Sequence, residues 1–220
     1  MSPIPLSAAF TVLPVPTVLG LFASVEPVPG GGSAAAIAGS IGSSLSVMVA
    51  GITEHKPGYE TAAEEARGLR IAASGYQEVL LRAAELDMSV YSTVSQAYSM
   101  PRDTDEAKAE RTDAIQTSLK GATRVPLETA QSCVSAGRIA LKLLVIGNKN
   151  ASSDAATGVL LALAGAESAL LNVAINLGSI KDEAFVTETK AAADAVWTEA
   201  ARLREELWPA AKAAGLEIPR

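Results

Sequence analysis

The stretch from Ser33 to Thr53 constrains the fold most, because it holds no charged residue and has different side chains on opposite helical faces. One face carries bulky residues at Ile37, Ile41, Leu45, Met48 and Ile52, and the other carries small residues at Ala35, Gly39, Ser43, Ser46 and Ala50. Small residues four apart let the backbone of a neighbouring helix approach closely. The pattern predicts a long helix that is surrounded by other helices, with Ser33 as its N-cap.

Helical periodicity continues along the rest of the chain, interrupted by loops that contain Pro or Gly. The predicted helices run over residues 17–24, 33–53, 59–100, from Asp103 or Thr104 to Ile146, 154–177 and 182–214, with a joint or kink at Pro126. Alanine is abundant and 4% of residues are aromatic, which is typical of close-packed helices rather than sheet. We expect one all-α domain over residues 1–220, a bundle of about five or six helices with no sheet and an N-terminal arm over residues 1–29.

Charge and rare residues exclude several classes of protein. The net charge of -6, without a run of Lys or Arg, gives no electrostatic footprint for nucleic acid or an anionic membrane surface. Cys133 is the only cysteine and His55 the only histidine, so one chain cannot build a disulfide framework or a multi-Cys/His metal site. Residues 1–16 contain four prolines and lack the basic start of a signal peptide. We therefore expect a cytoplasmic protein with no metal and no nucleic-acid partner.

Two segments, 33–53 and 155–180, are long and apolar enough to be considered as membrane spans. The first consists mostly of Ala, Gly and Ser, whereas spanning helices normally carry many large apolar side chains. The second contains Glu167 and a polar ladder of Ser168, Asn172 and Asn176, whose polar groups must be paired if they are buried. Both features favour buried helices of a soluble bundle, so we expect no membrane partner.

Gly30, Gly31 and Gly32 precede the small-residue helix and place flexible backbone with free N–H groups at a positive helix end. Such an end can hold a carboxylate, a phosphate or an electron-rich heterocycle. The surrounding sequence has neither a P-loop pattern nor the strand that a dinucleotide fingerprint requires. The alternative interpretation is a tight turn that lets two helices pack, and the residues alone leave both open.

A second polar group occupies the connection GNKNASSD at residues 147–154, between two apolar helices. Asn148, Asn150, Ser153 and Asp154 supply two carboxamides, a hydroxyl and a carboxylate, and loops on rigid scaffolds often carry function. Capping explains the same residues without a ligand, with Ser152 or Ser153 as N-cap and the carboxylate in the first helical turn.

The motifs also occur in a characteristic order. The elements are PVPGGGSAAAIAG from Pro27, MVAGIT from Met48, Lys56 with Tyr59, Asp87, SMPRDTDEAKAERTDAIQ from Ser99, VPLE from Val125, GNKNASSDA from Gly147 and LLNVAINL from Leu170. In this order and spacing, over about residues 15–205, the chain resembles the cyclodeaminase/cyclohydrolase family, which comprises the cyclodeaminase domain of formiminotransferase-cyclodeaminase and stand-alone methenyltetrahydrofolate cyclohydrolases. The resemblance implies an all-helical homodimer that acts on a one-carbon tetrahydrofolate derivative as substrate and keeps no permanently bound cofactor.

The resemblance also implies roles for individual residues. Asp154 is the first candidate for the base or cation-stabilising group and Asp87 the second, while Lys56 is the candidate proton donor or stabiliser of a developing oxyanion. The candidate substrate-binding residues are Gly30, Gly31, Gly32, Ser33, Tyr59, Asn148, Asn150 and Ser153. Among these, the asparagines and Ser153 would hold the amide edge of the pterin or the water, and the glycines would let backbone approach the ring.

The sequence departs from the family pattern after the small-residue helix. Gly51-Ile52-Thr53 replaces Asn-Leu-Thr, and His55-Lys56-Pro57-Gly58-Tyr59 replaces Gly-Lys-Lys-Lys-Tyr. The lost lysines could have met the glutamate tail of folate. A methenyltetrahydrofolate cyclohydrolase is favoured, because the chain has no room for a transferase domain. The alternatives are a formiminotetrahydrofolate cyclodeaminase and a recruited relative that acts on, or only binds, a non-folate metabolite.

Overall fold

The computed structural model describes residues 9–217, and within this range it contains six α-helices, two single turns of 3-10 helix and no strand. The helices are α1 (Val15–Phe22), α2 (Gly31–Glu54), α3 (Glu60–Ser99), α4 (Asp105–Ile146), α5 (Ser152–Leu177) and α6 (Glu183–Ala213), and the 3-10 turns are Phe10–Val12 and Lys149–Ala151. The predicted all-α helical bundle is confirmed. The first eight residues of the predicted N-terminal arm lie outside the described part of the chain.

Local sequence signals set the helix ends, and every predicted end within the described range agrees with the observed one to within about two residues. Thr104 caps α4, because its Oγ1 accepts a hydrogen bond from the Ala107 amide at 3.1 Å. Asp182 caps α6 in the same way through the Phe185 amide at 3.0 Å. Pro126 lies inside α4, which continues across it as one helix.

The prediction that Ser33 is the N-cap of the small-residue helix is wrong. Gly30 is the residue before α2, and it makes no side-chain cap. Ser33 lies in the first turn of the helix and is fully buried, with its hydroxyl turned towards α3. The hydroxyl finds acceptors on the neighbouring helix, so it is not available to the orphan amides at the start of its own helix.

α2 and α5 run antiparallel through the centre of the bundle and touch through their smallest residues. A Cβ atom on Gly42 would lie 2.7 Å from the carbonyl oxygen of Gly158, and one on Gly165 would lie 2.7 Å from that of Ala35. Such distances leave no room for any larger side chain, so the two backbones meet only because these positions are glycine. The close helix packing predicted from the small-residue stripe is confirmed.

The bulky stripe of α2 behaves differently from the prediction. Ile41, Met48 and Ile52 are 49%, 41% and 41% exposed, so α2 is not surrounded on all sides within one chain. The small face gives the closest approach to α3, α4 and α5 and is therefore the buried one. Together with the exposed Leu160, Leu171 and Ile175 of α5, these three residues form a surface that we call the α2/α5 face.

Three helical segments are long and apolar enough to cross a membrane by length and composition alone, namely α2, α4 and residues 149–177. Between 44% and 61% of the most apolar window of each segment is buried against other helices of the bundle. Helix packing within the chain therefore accounts for about half of this apolar character. Much of the remainder of α2 and α5 belongs to the α2/α5 face.

Candidate functional site

The predicted site residues lie at opposite ends of the α2/α5 pair. Gly30 to Ser33 lie at the start of α2, beside Asp87 of α3, whereas Lys56 and residues 148–154 lie at its far end. α2 has 24 residues, and a rise of 1.5 Å per residue separates the two groups by about 36 Å. One chain therefore does not bring Asp154 and Lys56 to the carboxyl group of Asp87, as a single site within the chain would require.

The start of α2 forms one wall of a cleft of about 380 Å³, which we call the glycine cleft. Its lining residues are Pro27, Val28, Gly30, Gly31, Gly32, Asp87, Val90, Tyr91, Val94, Ala122, Asn172, Ile175, Asn176 and Ser179. They come from the loop before α2 and from α2 to α5, with the last residue just beyond α5. Apolar walls with a few convergent polar groups are typical of small-molecule sites, and this volume suits a ring system.

Asp87 is held in the cleft by Ser33. The Ser33 Oγ lies 2.9 Å from the carbonyl oxygen of Ala84 and 3.0 Å from Oδ2 of Asp87. The Ser33 hydroxyl faces two acceptors with a single proton, so it can donate fully to only one of them at a time. The first turn of α2 thus fixes the position of the Asp87 carboxyl group.

Burial raises the pKa of Asp87 above its ordinary value of 3.8, and the hydroxyl and backbone amide of Ser33 offset part of this rise. Gly32 determines the position of the Asp87 carboxyl group, because a Cβ atom at position 32 would collide with Cγ, Oδ1 and Oδ2 of Asp87. The glycine loop therefore lets the carboxyl group lie against the backbone at the start of α2.

Asn172 and Asn176 line the glycine cleft, and the sequence identified them only as part of a polar ladder. Asn172 Nδ2 donates to the carbonyl oxygen of Ser168 at 3.0 Å, and Asn176 Nδ2 donates to that of Ala122 at 2.8 Å. Both Nδ2 groups are engaged, and neither Oδ1 has a hydrogen-bond partner among residues 9–217. Each carboxamide therefore brings an acceptor to the glycine cleft. Their spacing of four residues was the signal in the sequence.

The opposite end of the α2/α5 pair is a connected polar loop. Thr53 Oγ1 accepts a hydrogen bond from the amide of Asn148 at 2.9 Å, and the hydroxyl of Tyr59 accepts one from the amide of Lys149 at 3.0 Å. Asn148 Oδ1 in turn accepts from the amide of Asn150 at 3.0 Å. The predicted residues Tyr59 and Asn148 therefore hold the loop in place.

The capping interpretation of this loop is wrong in its details. α5 begins at Ser152, and the residue before it makes no side-chain cap. The Ser152 hydroxyl donates instead to the carbonyl oxygen of Lys149 at 2.8 Å, because the preceding 3-10 turn places that carbonyl within reach. Asp154 lies half-buried in the first turn of α5, as predicted, whereas Ser153 and Asn150 are exposed. Lys56 is also exposed, beyond the end of α2.

Metal-ligating side chains do not gather anywhere in residues 9–217, where no three His, Cys, Asp or Glu groups are placed to hold an ion.

Comparison of the sequence with known protein families shows which family the chain belongs to. The sequence model of the family described as formiminotransferase-cyclodeaminase matches residues 14–195. The chain belongs to this family. The family relationship that the motifs indicated is therefore confirmed, and its matched range includes both ends of the α2/α5 pair.

Two curated relatives show the breadth of the family. The chain is 36% identical over 198 residues to the methenyltetrahydrofolate cyclohydrolase of Methylorubrum extorquens, which covers 90% of this chain and 95% of that protein. It is 32% identical over 161 residues to the formimidoyltransferase-cyclodeaminase of Gallus gallus, which covers 73% of this chain. This chain spans 30% of the length of that longer protein.

A solved structure supports the same fold. The crystal structure of a formiminotetrahydrofolate cyclodeaminase from Thermotoga maritima matches with a TM-score of 0.84 at 25% sequence identity. The match covers 93% of this chain and 98% of that one. The arrangement of helices that separates the two polar groups therefore belongs to the family fold.

Proposed function

We propose that this chain is a methenyltetrahydrofolate cyclohydrolase, which hydrolyses the bridged one-carbon unit of its substrate to formyltetrahydrofolate. The observation that carries the proposal is the similarity to the Methylorubrum extorquens protein of that name, which extends over 90% of this chain and 95% of the relative. The Gallus gallus relative contains far more sequence than this chain matches, and it is less similar over the shared part.

The chemistry of the glycine cleft supports the proposal. Methenyltetrahydrofolate holds its one-carbon unit between two nitrogens as a cationic amidinium, and its pterin ring presents N–H donors. Asp87 and the Oδ1 atoms of Asn172 and Asn176 offer the cleft a carboxyl group and two acceptors. A carboxylate favours a cation electrostatically, and the carboxamide oxygens match N–H donors.

Asp87 is the residue in the cleft best placed to handle protons. A water adds to the bridging carbon and loses a proton to the carboxylate, and the same group returns a proton to the nitrogen as one of the two C–N bonds breaks. The overall reaction consumes one water and releases one proton as the cation becomes a neutral formamide. A carboxyl group with a raised pKa suits both roles, because it exchanges its proton closer to neutral pH.

The proposal includes a homodimer, formed through the α2/α5 face. Six large apolar side chains are exposed along this face, and its α2 part carries no charge between Ser33 and Thr53. Large apolar side chains exposed along two neighbouring helices are typical of interfaces between protein chains. A second copy of the chain is the partner that best fits this face, because the candidate site residues lie at its two opposite ends.

If the two-fold axis of the dimer lies in the plane of the α2/α5 face and perpendicular to its helices, the helices of the two copies run in opposite directions. The glycine cleft of one subunit would then lie beside the polar loop of its partner. Gly31, Asn172 and Ile175 line the cleft where it meets the face, and Ser153 and Asp154 lie at the other end. The partner subunit's Asp154 and the partner subunit's Lys56 would thereby complete the site, with Asp87 contributed by the first subunit.

The alternative function is a formiminotetrahydrofolate cyclodeaminase. The match to the Thermotoga maritima enzyme of that name, with a TM-score of 0.84, is the observation that favours it. Cationic methenyltetrahydrofolate is the substrate of the cyclohydrolase and the product of the cyclodeaminase, so the cleft suits either reaction. They differ in the nitrogen that leaves, because only the cyclodeaminase releases ammonia.

The absorbance of methenyltetrahydrofolate tests the proposal directly. We expect purified protein to accelerate its decay above the spontaneous rate, and the Asp87→Asn variant to remain near that rate. Ammonia release from formiminotetrahydrofolate, without faster decay of the methenyl compound, would replace the proposal by the cyclodeaminase. Folded protein that performs neither reaction at high concentration would show that the substrate is a different metabolite.

A further inference from the structure

Pro126 occupies an unusual position inside α4. It is buried and continues a helix of 42 residues, although proline is disfavoured in helix interiors. Proline has no amide hydrogen, so the carbonyl oxygen of Ala122, four residues earlier, cannot receive its usual helical hydrogen bond. This carbonyl is bonded instead to another helix, because Asn176 Nδ2 of α5 donates to it at 2.8 Å.

The bond lies at the edge of the glycine cleft. Ala122 and Asn176 both line the cleft, at the place where α4 and α5 form its wall. A carboxamide has a donor end and an acceptor end, and the partner of one end decides where the other points. Since the carbonyl of Ala122 can only accept, it engages Nδ2 and leaves Oδ1 as the acceptor.

We propose that Pro126 is a positioning residue for the substrate ring. By removing one amide from α4 it keeps the Ala122 carbonyl free for Asn176, and so presents the Asn176 Oδ1 atom to an N–H donor of the bound ring. A residue with an amide at position 126 would donate to the same carbonyl, whose oxygen would then be shared between two donors and would hold the Asn176 carboxamide less firmly. The role of Asn176 in substrate binding rests on the proposed function. The structural link from Pro126 through the Ala122 carbonyl to Asn176 does not.

Kinetics of the full-length protein test the link through two variants and their combination. We expect Pro126→Ala to fold and to raise the KM for methenyltetrahydrofolate about tenfold, the loss of one oriented hydrogen bond, with kcat nearly unchanged. Asn176→Ala should have the same effect. The double variant should be no worse than Asn176→Ala alone, because both substitutions remove one interaction. A wild-type KM for Pro126→Ala, or effects that multiply in the double variant, would overturn the proposal.

Pro209 supplies the matched control, because it also lies inside a helix, α6, but is exposed and does not line the cleft. Pro209→Ala should leave KM at the wild-type value. An equal rise of KM in this variant would mean that any change of helix packing disturbs the cleft, and the proposal would be wrong.

A spectroscopic measurement separates this proposal from the proposed function. In ¹⁵N-labelled protein without substrate, the side-chain amide of Asn176 should exchange slowly with solvent, and Pro126→Ala should reduce this protection. Loss of protection in a protein that does not act on methenyltetrahydrofolate would refute the function and support the link. Unchanged protection in an active protein would refute the link and leave the function intact.

Discussion

The carboxyl group of Asp87 lies against the backbone of Gly32, in the space that a Cβ atom at that position would occupy. The same group contacts the Ser33 hydroxyl, so two successive residues of α2 fix the acid of a neighbouring helix. The glycine loop and the aspartate therefore form one structural unit, although 54 residues separate Ser33 from Asp87 in the sequence. Changes at either partner are expected to act on the other.

Gly32→Ala should inactivate the protein by displacing Asp87. The added methyl group cannot be accommodated unless the carboxyl group leaves its place, and loss of a positioned acid–base group lowers the rate about 100-fold or more. Steady-state turnover of methenyltetrahydrofolate measures the effect. Gly75→Ala on α3 is the control, because open space surrounds that position, and it should keep full activity while gaining about 0.5–1 kcal/mol of stability. Wild-type turnover in Gly32→Ala would contradict the proposed role of Asp87.

The raised pKa of Asp87 makes stability depend on pH in a defined direction. A buried acid binds its proton more tightly in the folded protein, so its contribution to stability is fully present below the ordinary value of 3.8 and declines as the pH rises through the folded pKa. Asp87→Asn has no such group. We expect the free energy of unfolding of the wild type, relative to this variant, to fall over that window and then to level off.

Chemical denaturation of both proteins at a series of pH values measures the difference. The pH profile of kcat/KM provides a second reading, because activity that needs the carboxylate should rise through the same raised pKa. A stability difference that does not change with pH would show that the Asp87 carboxyl group is not perturbed in the folded protein.

The α2/α5 face should hold two copies of the chain together. Wild-type protein is expected to have twice the chain mass of 22.5 kDa in solution, and Ile41→Glu or Leu171→Glu should give the monomer by burying a charge in an apolar interface. Light scattering after size exclusion measures the mass. Ile71→Glu is the control, because Ile71 is 67% exposed on α3, away from this face. A wild-type monomer would contradict the homodimer.

Mixed dimers test whether the site is shared between subunits. Asp87→Asn and Asp154→Asn should each be inactive alone. If the two residues act together across the interface, a dimer with one copy of each variant keeps one intact site, so a fully exchanged equal mixture should recover about a quarter of wild-type activity. No recovery, in a mixture shown to have exchanged subunits, would place the whole site within one chain or remove Asp154 from it.

Much of this architecture was predictable from local sequence. Thr104 and Asp182 fix the starts of α4 and α6 through contacts with residues three positions later, so their effect is visible in the sequence. Close packing of another helix against α2 was foreseen from its small residues, although neither Gly42 nor its partner Gly158 was named. The family, too, was recognisable from short motifs and their order.

The candidate site was less predictable, because its contacts join residues far apart in the chain. Ser33 was expected to cap its own helix, but the acceptors offered by α3 engage its hydroxyl instead. Asn176 was noted as polar, yet its Nδ2 donates to a carbonyl of α4, that of Ala122, which has no helical partner because residue 126 is proline. Both cases depend on which helix lies opposite, which periodicity within one helix does not specify.

The sequence by itself determined the helices, their ends and the all-α class, because helix caps and helical periodicity act over a few residues. Only the tertiary structure decided that α2 buries its small face and exposes Ile41, since the choice depends on how closely neighbouring backbones approach. The tertiary structure also separated Asp87 from Asp154. The antiparallel packing of two long helices places their polar ends apart, because a helix is rigid and extends by a fixed rise per residue.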